Sequence, residues 1–180
     1  MKFKLRDATL SDVVGMLSIY NEVVETSTAI YSESLADADY MREYIKSRVA
    51  DGFPVFVLES TQDESGENPT ILGYGSYGLF RARPGYRFTV EHTVHIASKA
   101  RGGGAGSALL CALIKRAKAD GYHVMVGAVD SANAPSLRFH KRAGFQIHSA
   151  LPQVGRKFDR WLDMTFVTLC LAQEENRGTN

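Results

Sequence analysis

The chain has 180 residues, 44% of them apolar, and 21 basic against 20 acidic side chains give a formal net charge of +1. For 19.8 kDa, surface scaling gives roughly 8,600 Å² folded against roughly 28,700 Å² extended, enough burial for one core and short for two. The interspersed charges make no case for a nucleic-acid partner, and no apolar run approaches the ~18 to 20 residues of a membrane span. One domain is expected over residues 1–172, followed by a polar tail, 173–180, with nothing to bury. The Met1–Asp7 stretch lacks the apolar segment of a signal peptide, which predicts a cytoplasmic protein. Cys111 and Cys170 cannot build a disulfide framework and are expected as reduced core thiols.

In chain order, Phe3 and Leu5 alternate with charged neighbours as in a short strand. Val13, Met16, Leu17, Tyr20 and Val24 then follow helical spacing, with Thr9 or Ser11 as the cap and Asp12 in the first turn. A second helix is expected from Asp37 to Ala50, stopped by Gly52. Between the two lies the polar stretch Glu25 to Ala36, long enough for a functional loop. Pro54–Glu59 and Ile71–Leu79 read as hairpin partners joined by a polar connection, Ser60–Pro69. Phe80–Arg87 is an Arg-rich turn, and Phe88–Ile96 reads as another strand.

The second half changes character. Leu109, Leu110, Leu113, Ile114 and Ala117 stripe a helix that ends near Gly121, and Val124–Val129 is the continuous apolar run of a strand buried on both faces. Asn133-Ala134-Pro135 pairs a cap with an early proline and opens a helix that stops at Gly144. Asp163–Leu171 is a final strand. This order predicts an α+β fold on a mixed sheet.

The most informative motif is Arg101-Gly102-Gly103-Gly104-Ala105-Gly106-Ser107, between a strand and an amphipathic helix. Such glycines let backbone N–H groups approach an anion, and the helix N-terminus adds its positive end. It is not a Walker A loop, because Gly106 is followed by Ser107-Ala108 rather than Lys-Ser/Thr. It is not the dinucleotide fingerprint either, because neither Gly102 nor Gly104 starts a Gly-x-Gly-x-x-Gly run.

The remaining pattern, Arg-x-x-Gly-x-Gly opening a helix, resembles the acyl-CoA pyrophosphate loop of the GNAT N-acetyltransferases. Tyr20-Asn21-Glu22, Thr26-Ser27-Thr28-Ala29, Thr89-Val90-Glu91-His92, Gly121 to Val126, Asn133 to Ser136 and Val154 to Phe158 extend the resemblance over most of the chain. They are similar to the phosphinothricin and methionine sulfoximine/sulfone acetyltransferase branch. The resemblance implies a twisted, mostly antiparallel mixed sheet of six to seven strands with helices on both faces. It also implies a homodimer, acetyl-CoA as cosubstrate without a metal, and small amino-acid-like substrates.

On this resemblance, Val94, His95 and Ile96 pair with the pantetheine arm, with backbone N–H near His95 and Ile96 polarising the thioester carbonyl. Arg101, Gly102, Gly103, Gly104, Ala105, Gly106 and Ser107 form the pyrophosphate loop, and Asn133 contacts CoA as well as serving as a cap. The branch usually has Tyr at the position of His95. Arg81, Ala82 and Arg83 match a substrate-contacting segment, and guanidinium groups suit an amino-acid anion. Tyr31 and Tyr86 are candidate pocket walls.

Glu91 is the expected general base for deprotonating the attacking amine, its pKa raised by apolar neighbours. His92 is expected to orient Glu91 or, with Thr93, to contact substrate; the alternative for His92 is a solvent-facing strand residue. His140 is either a general acid, a helper in base catalysis, or a plain surface histidine beside Lys141 and Arg142. Trp161 belongs to a dimer contact, a core or a hairpin. Two other functions stay open: an acetyltransferase for peptides or other amines, and a non-catalytic acyl-CoA sensor.

Overall fold

The alternation at Phe3 and Leu5 becomes β1 (Phe3–Asp7), and a 3-10 turn over Leu10–Asp12 leads into α1 (Val13–Thr26). Asp12 is buried at this junction. It accepts 2.8 Å hydrogen bonds from both Arg6 Nη atoms and a 2.7 Å bond from the Thr9 N–H, which hold its carboxyl below the usual carboxylate range. α2 (Ala38–Ala50) starts on Asp37, whose Oδ1 accepts from the Tyr40 N–H at 2.8 Å. Then come β2 (Val55–Ser60), β3 (Ile71–Leu79), β4 (Thr89–Ile96), α3 (Ala105–Ala119), β5 (Val124–Asp130), α4 (Ala134–Arg142), β6 (Gln146–Lys157) and β7 (Arg160–Cys170). This computed structural model describes residues 2–61 and 69–172. The polar tail and most of the Ser60–Pro69 connection lie outside them.

Among the described residues the strands form one seven-stranded sheet in the order β1-β2-β3-β4-β5-β7-β6, antiparallel except for β4 against β5. Val13, Met16 and Ile19 of α1 and Met41 and Ile45 of α2 pack on Val55, Val57 and Tyr74, filling one face. Leu109, Leu110 and Leu113 of α3 fill the other with Leu58, Val90, Met125 and Val167. β3 is close under the α3 layer. A Cβ at Gly75 would come 3.1 Å from Leu113, and one at Gly73 would come 2.9 Å from the His95 carbonyl oxygen.

Two expectations are corrected. Cys111 and Cys170 are exposed free thiols rather than core residues, because Cys111 lies off the buried stripe of α3 and Cys170 is the last residue of β7, past the stretch that β6 pairs with. β6 was not expected as a strand. It is exposed at nearly every position, is interrupted by Pro152 and by Gln153 at φ +53°, and exists through its pairing with β7. Trp161 follows the tight turn at Phe158 and Asp159 and is 61% exposed, so it is a hairpin residue and no part of the core.

Candidate active site

The parallel pairing of β4 with β5 covers only Thr89↔Val124, Val90↔Met125 and Glu91↔Val126. Beyond Glu91 the strands part, although β4 continues to Ile96 and β5 to Asp130. The Phe80 N–H donates to Thr89 and the Ala97 N–H to Leu72, so the odd-numbered residues of β4 turn their backbone groups toward β3. Those of Val94 and Ile96 face the opening, where β5 no longer pairs with them. This corrects the expectation for His95, whose N–H belongs to the β3 ladder; Val94 and Ile96 hold the free donors.

Side chains divide in the same alternating way. Glu91, Thr93 and His95 lie on the α1/α2 face, where the His95 ring packs against Tyr74 at 5.3 Å and Tyr20 at 6.5 Å. Burial there pushes the His95 pKa down to about 4, so this ring is a neutral packing element at ordinary pH. Glu91 is half-buried, and among the described residues its carboxylate forms no hydrogen bond or ion pair. Desolvation raises its pKa, with the positive charges of Arg81 and Arg48 opposing. Across the opening, Ala128 is exposed although its strand is otherwise well covered, because its face looks into this cleft. Arg81 reaches the cleft from the exposed turn that also holds Ala82 and Arg83, its guanidinium 4.3 Å from the Phe80 ring centre.

His92 and His140 occupy the opposite face. The His92 ring is buried against His140 at 5.1 Å and Phe145 at 5.4 Å, and neither of its nitrogens has a hydrogen-bond partner. Burial first, and His140 second, push its pKa down to about 3. Gly127 makes this packing possible, since a Cβ there would lie 2.7 Å from His92 Nε2. His92 is therefore neither solvent-facing nor in position to orient Glu91 directly. His140 is buried rather than on the surface. Its Nδ1 lies 2.8 Å from the Ser136 carbonyl, which requires Nδ1 to carry the hydrogen, and Nε2 is unpartnered. Burial lowers its pKa as well.

At the far end of β4, Arg101 to Gly104 form a turn with Gly102 at φ +79° and Gly104 at φ +85°, and space around both positions is open. α3 starts at Ala105, so the N–H groups of Ala105, Gly106 and Ser107 have no partner within the helix. Arg101 donates from Nε to the Ile96 carbonyl at 3.2 Å and pairs with Glu22 at 3.7 Å. Asn133 Oδ1 caps α4 through the Ser136 N–H at 3.1 Å. The free edge of β4 and this anion-receptive turn lie on one path, which fits an amide-bearing chain ending in a pyrophosphate. A separate cavity of about 540 Å³ beside α1 is lined by Arg6, Asp12, Glu22, Glu59 and Lys99. Much of its charge is already internally paired, and it contains none of these cleft residues.

The loop between α1 and α2 closes this region. Thr28 hydrogen-bonds Asp130 at the end of β5, and the Tyr31 hydroxyl donates to the Asp163 carbonyl at 3.1 Å. A Cβ at Gly155 would overlap the Tyr31 ring, and the buried Lys157 donates to three carbonyls of the Val24–Ile30 segment. Tyr86 is exposed and packs on Phe80. Sequence reasoning passed over Arg48, Asp130, Gly127 and Lys157. Only the Val154 to Phe158 motif signalled the last of these.

The chain is similar to known proteins over nearly its whole length. The chain is 46% identical to the L-methionine sulfoximine/L-methionine sulfone acetyltransferase of Pseudomonas aeruginosa, over 95% of this chain and 96% of that one. It is 40% identical to the L-amino acid N-acyltransferase MnaT of Escherichia coli, over 93% of each. A GNAT superfamily phosphinothricin acetyltransferase from Sinorhizobium meliloti, solved in complex with acetyl-CoA, superposes with a TM-score of 0.87 at 32% identity. That match covers all of this chain and 93% of the other. Residues 13–145 match the acetyltransferase (GNAT) family profile, and the chain belongs to that family as an acyltransferase enzyme.

Proposed function

We propose that this enzyme is an acetyl-CoA-dependent N-acetyltransferase for the α-amino group of small amino-acid-like molecules: methionine sulfoximine, methionine sulfone and phosphinothricin. The observation that carries the reading is the half-buried, unpaired Glu91 carboxylate at the point where β4 and β5 part, beside the free backbone N–H groups of Val94 and Ile96. Similarity to relatives named for these substrates supports the substrate class.

Acetyl-CoA, when bound, supplies the acetyl thioester. Val94 and Ile96 would hold the pantetheine arm, with the Arg101–Ser107 turn and Asn133 toward the phosphates. Transfer is direct. Glu91 takes a proton from the substrate ammonium, itself or through water, and frees the lone pair for attack on the carbonyl carbon. A free N–H, that of Val94 or of Ile96, stabilises the oxyanion, and its collapse breaks the carbon–sulfur bond and releases the CoA thiolate, which takes up the proton that the newly acylated nitrogen sheds. His140, neutral with its Nε2 lone pair unpartnered, is suited to accept a proton rather than donate one. This favours its helper role over that of general acid. Arg81, on the cleft side, would contact the oxygen-bearing end of the substrate side chain.

The test is thiol release from acetyl-CoA with the three named amino acids and a peptide bearing a free N-terminus. Turnover confined to the small amino acids is expected. Preference for the peptide would replace the substrate reading, and acetyl-CoA binding without turnover on any amine would replace catalysis with sensing.

The same reading includes a cytoplasmic homodimer. Two exposed free thiols suit a reducing compartment. Among the described residues β6 pairs only with β7, and Ile147, Leu151, Val154, Phe158 and Trp161 are exposed on this hairpin. A second copy would cover both the strand edge and the apolar side chains. Sedimentation equilibrium should give twice the 19.8 kDa chain mass, and Trp161→Lys should shift it toward one. A monomeric wild type would overturn the dimer.

A further inference from the structure

Arg48, on the last turn of α2, has no role in the reading above, and its placement is specific. Its guanidinium lies against β3 at Gly78, where any Cβ would overlap it. Gly78 is the residue paired with Glu91 across the β3–β4 ladder. Directly opposite residues share a face of the sheet with their Cβ positions ~4.5–5.5 Å apart. The guanidinium and the Glu91 carboxylate therefore look into one cleft. They do not neutralise each other: among the described residues, Arg48 forms no ion pair, although Arg6, Arg42, Arg101, Arg116 and Arg156 all do. Both Arg48 and Arg81 nevertheless act on Glu91 electrostatically.

The Arg48 side chain is partly buried and stacks on Tyr44, one helical turn earlier, at 5.5 Å. The Tyr44 hydroxyl is itself buried without a partner. The backbone at this helix end is fixed by the Phe53 N–H donating to the Arg48 carbonyl at 2.8 Å. A preorganised cation thus stands beside a carboxylate with an unbridged gap between them. That is the complement of a zwitterion whose ammonium and carboxylate sit on one carbon. Arg81 differs, because it lies on an exposed turn and stacks on Phe80.

Resting on the amino-acid N-acetyltransferase reading, we infer that Arg48 binds the substrate's α-carboxylate and so delivers the α-amine to Glu91. Every α-amino acid presents that carboxylate, whereas side chains differ. A guanidinium placed on a helix would therefore recognise the common part of the substrate, leaving the exposed turn to read the variable end. Gly78 is then required because the guanidinium occupies the space a side chain would take.

The test compares methionine sulfone with its carboxamide in the wild type, Arg48→Met and Arg48→Lys, measuring kcat, KM for each amine and KM for acetyl-CoA. Wild type should prefer the acid over the amide by about 10- to 100-fold in kcat/KM, the range of a charge-assisted contact. Arg48→Met should bring the acid-over-amide preference down to near one, the loss on the acid falling mainly on KM, while its KM for acetyl-CoA stays at the wild-type level. Arg48→Lys, which keeps the charge but not the fork, should fall between. If Arg48→Met slows acid and amide equally, or still prefers the acid as the wild type does, the assignment is wrong. Wild type failing on both amines would instead reject the amino-acid reading, and this inference with it.

Discussion

Glu91→Gln should lower kcat/KM for the amino-acid substrate by ~10²- to 10⁴-fold, the range for loss of a positioned general base, while KM for acetyl-CoA stays unchanged. The substitution keeps the shape of the side chain and removes only its capacity to take a proton. The pH profile carries the same information. Burial raises the Glu91 pKa above its usual 4.5, with Arg81 and Arg48 pulling it back. The acid limb of kcat/KM in the wild type should therefore lie above 4.5 and disappear in the variant. Stability should move the other way. A carboxyl whose folded pKa exceeds its unfolded one contributes stability below the unfolded pKa and loses it as pH rises through the folded value. At neutral pH the ionised, half-desolvated carboxylate thus weakens the fold, so Glu91→Gln should melt higher than wild type at pH 7 and lose that advantage below about pH 4. Equal turnover in both proteins would remove Glu91 from the mechanism. Lost turnover together with a lower melting temperature at neutral pH would mark Glu91 as a structural residue.

What was legible in the sequence followed from local signals. The spacing in α1 and α3, the cap at Asn133 and the glycines of the Arg101–Ser107 turn are read within a few residues, and each appears where expected. Glu91 stood out because Thr89-Val90-Glu91-His92 resembles a GNAT motif, and it lies half-buried where β4 and β5 part. What escaped depends on distant partners. β6 has no buried face to create a pattern, so only β7 makes it a strand. His140 reads as exposed beside Lys141 and Arg142, yet its side of α4 turns inward onto Phe145 and His92. Arg48 looks like one more charge on the polar side of α2. Its meaning comes from Gly78, thirty residues later, and from a strand register that no local window contains.

Lys157 is the strongest case of this kind and should give the largest stability loss in the molecule. Its side chain is fully buried, and Nζ donates to the carbonyls of Val24 at 2.6 Å, Ser27 at 2.8 Å and Ile30 at 2.9 Å. Burial lowers its pKa, with Glu33 opposing. Three acceptors match the three N–H groups of the ammonium, however, and a neutral amine could serve only two. The contact closes the C-terminal end of α1, where free carbonyls and the helix dipole both favour a cation. Lys157→Met would fill the same space and strand the buried Val24 carbonyl and the partly buried carbonyls of Ser27 and Ile30, at up to about 1–3 kcal/mol each, a large share of the 5–15 kcal/mol that holds a typical domain together. At roughly 2–4 °C per kcal/mol for a chain of this size, the melting temperature should fall by about 10 °C or more. The α1–α2 loop that seats Tyr31 against Gly155 and Thr28 against Asp130 should loosen with it, raising KM for the amine in whatever protein stays folded. Arg156→Ala is the matched control. This adjacent side chain points to solvent and pairs only with the exposed Asp159, so its loss should change stability by less than about 0.5 kcal/mol. Equal melting temperatures for the two variants would mean that the three carbonyls find water once the ammonium is gone. The Val24–Ile30 segment would then be held by Tyr31 and Thr28 rather than by Lys157.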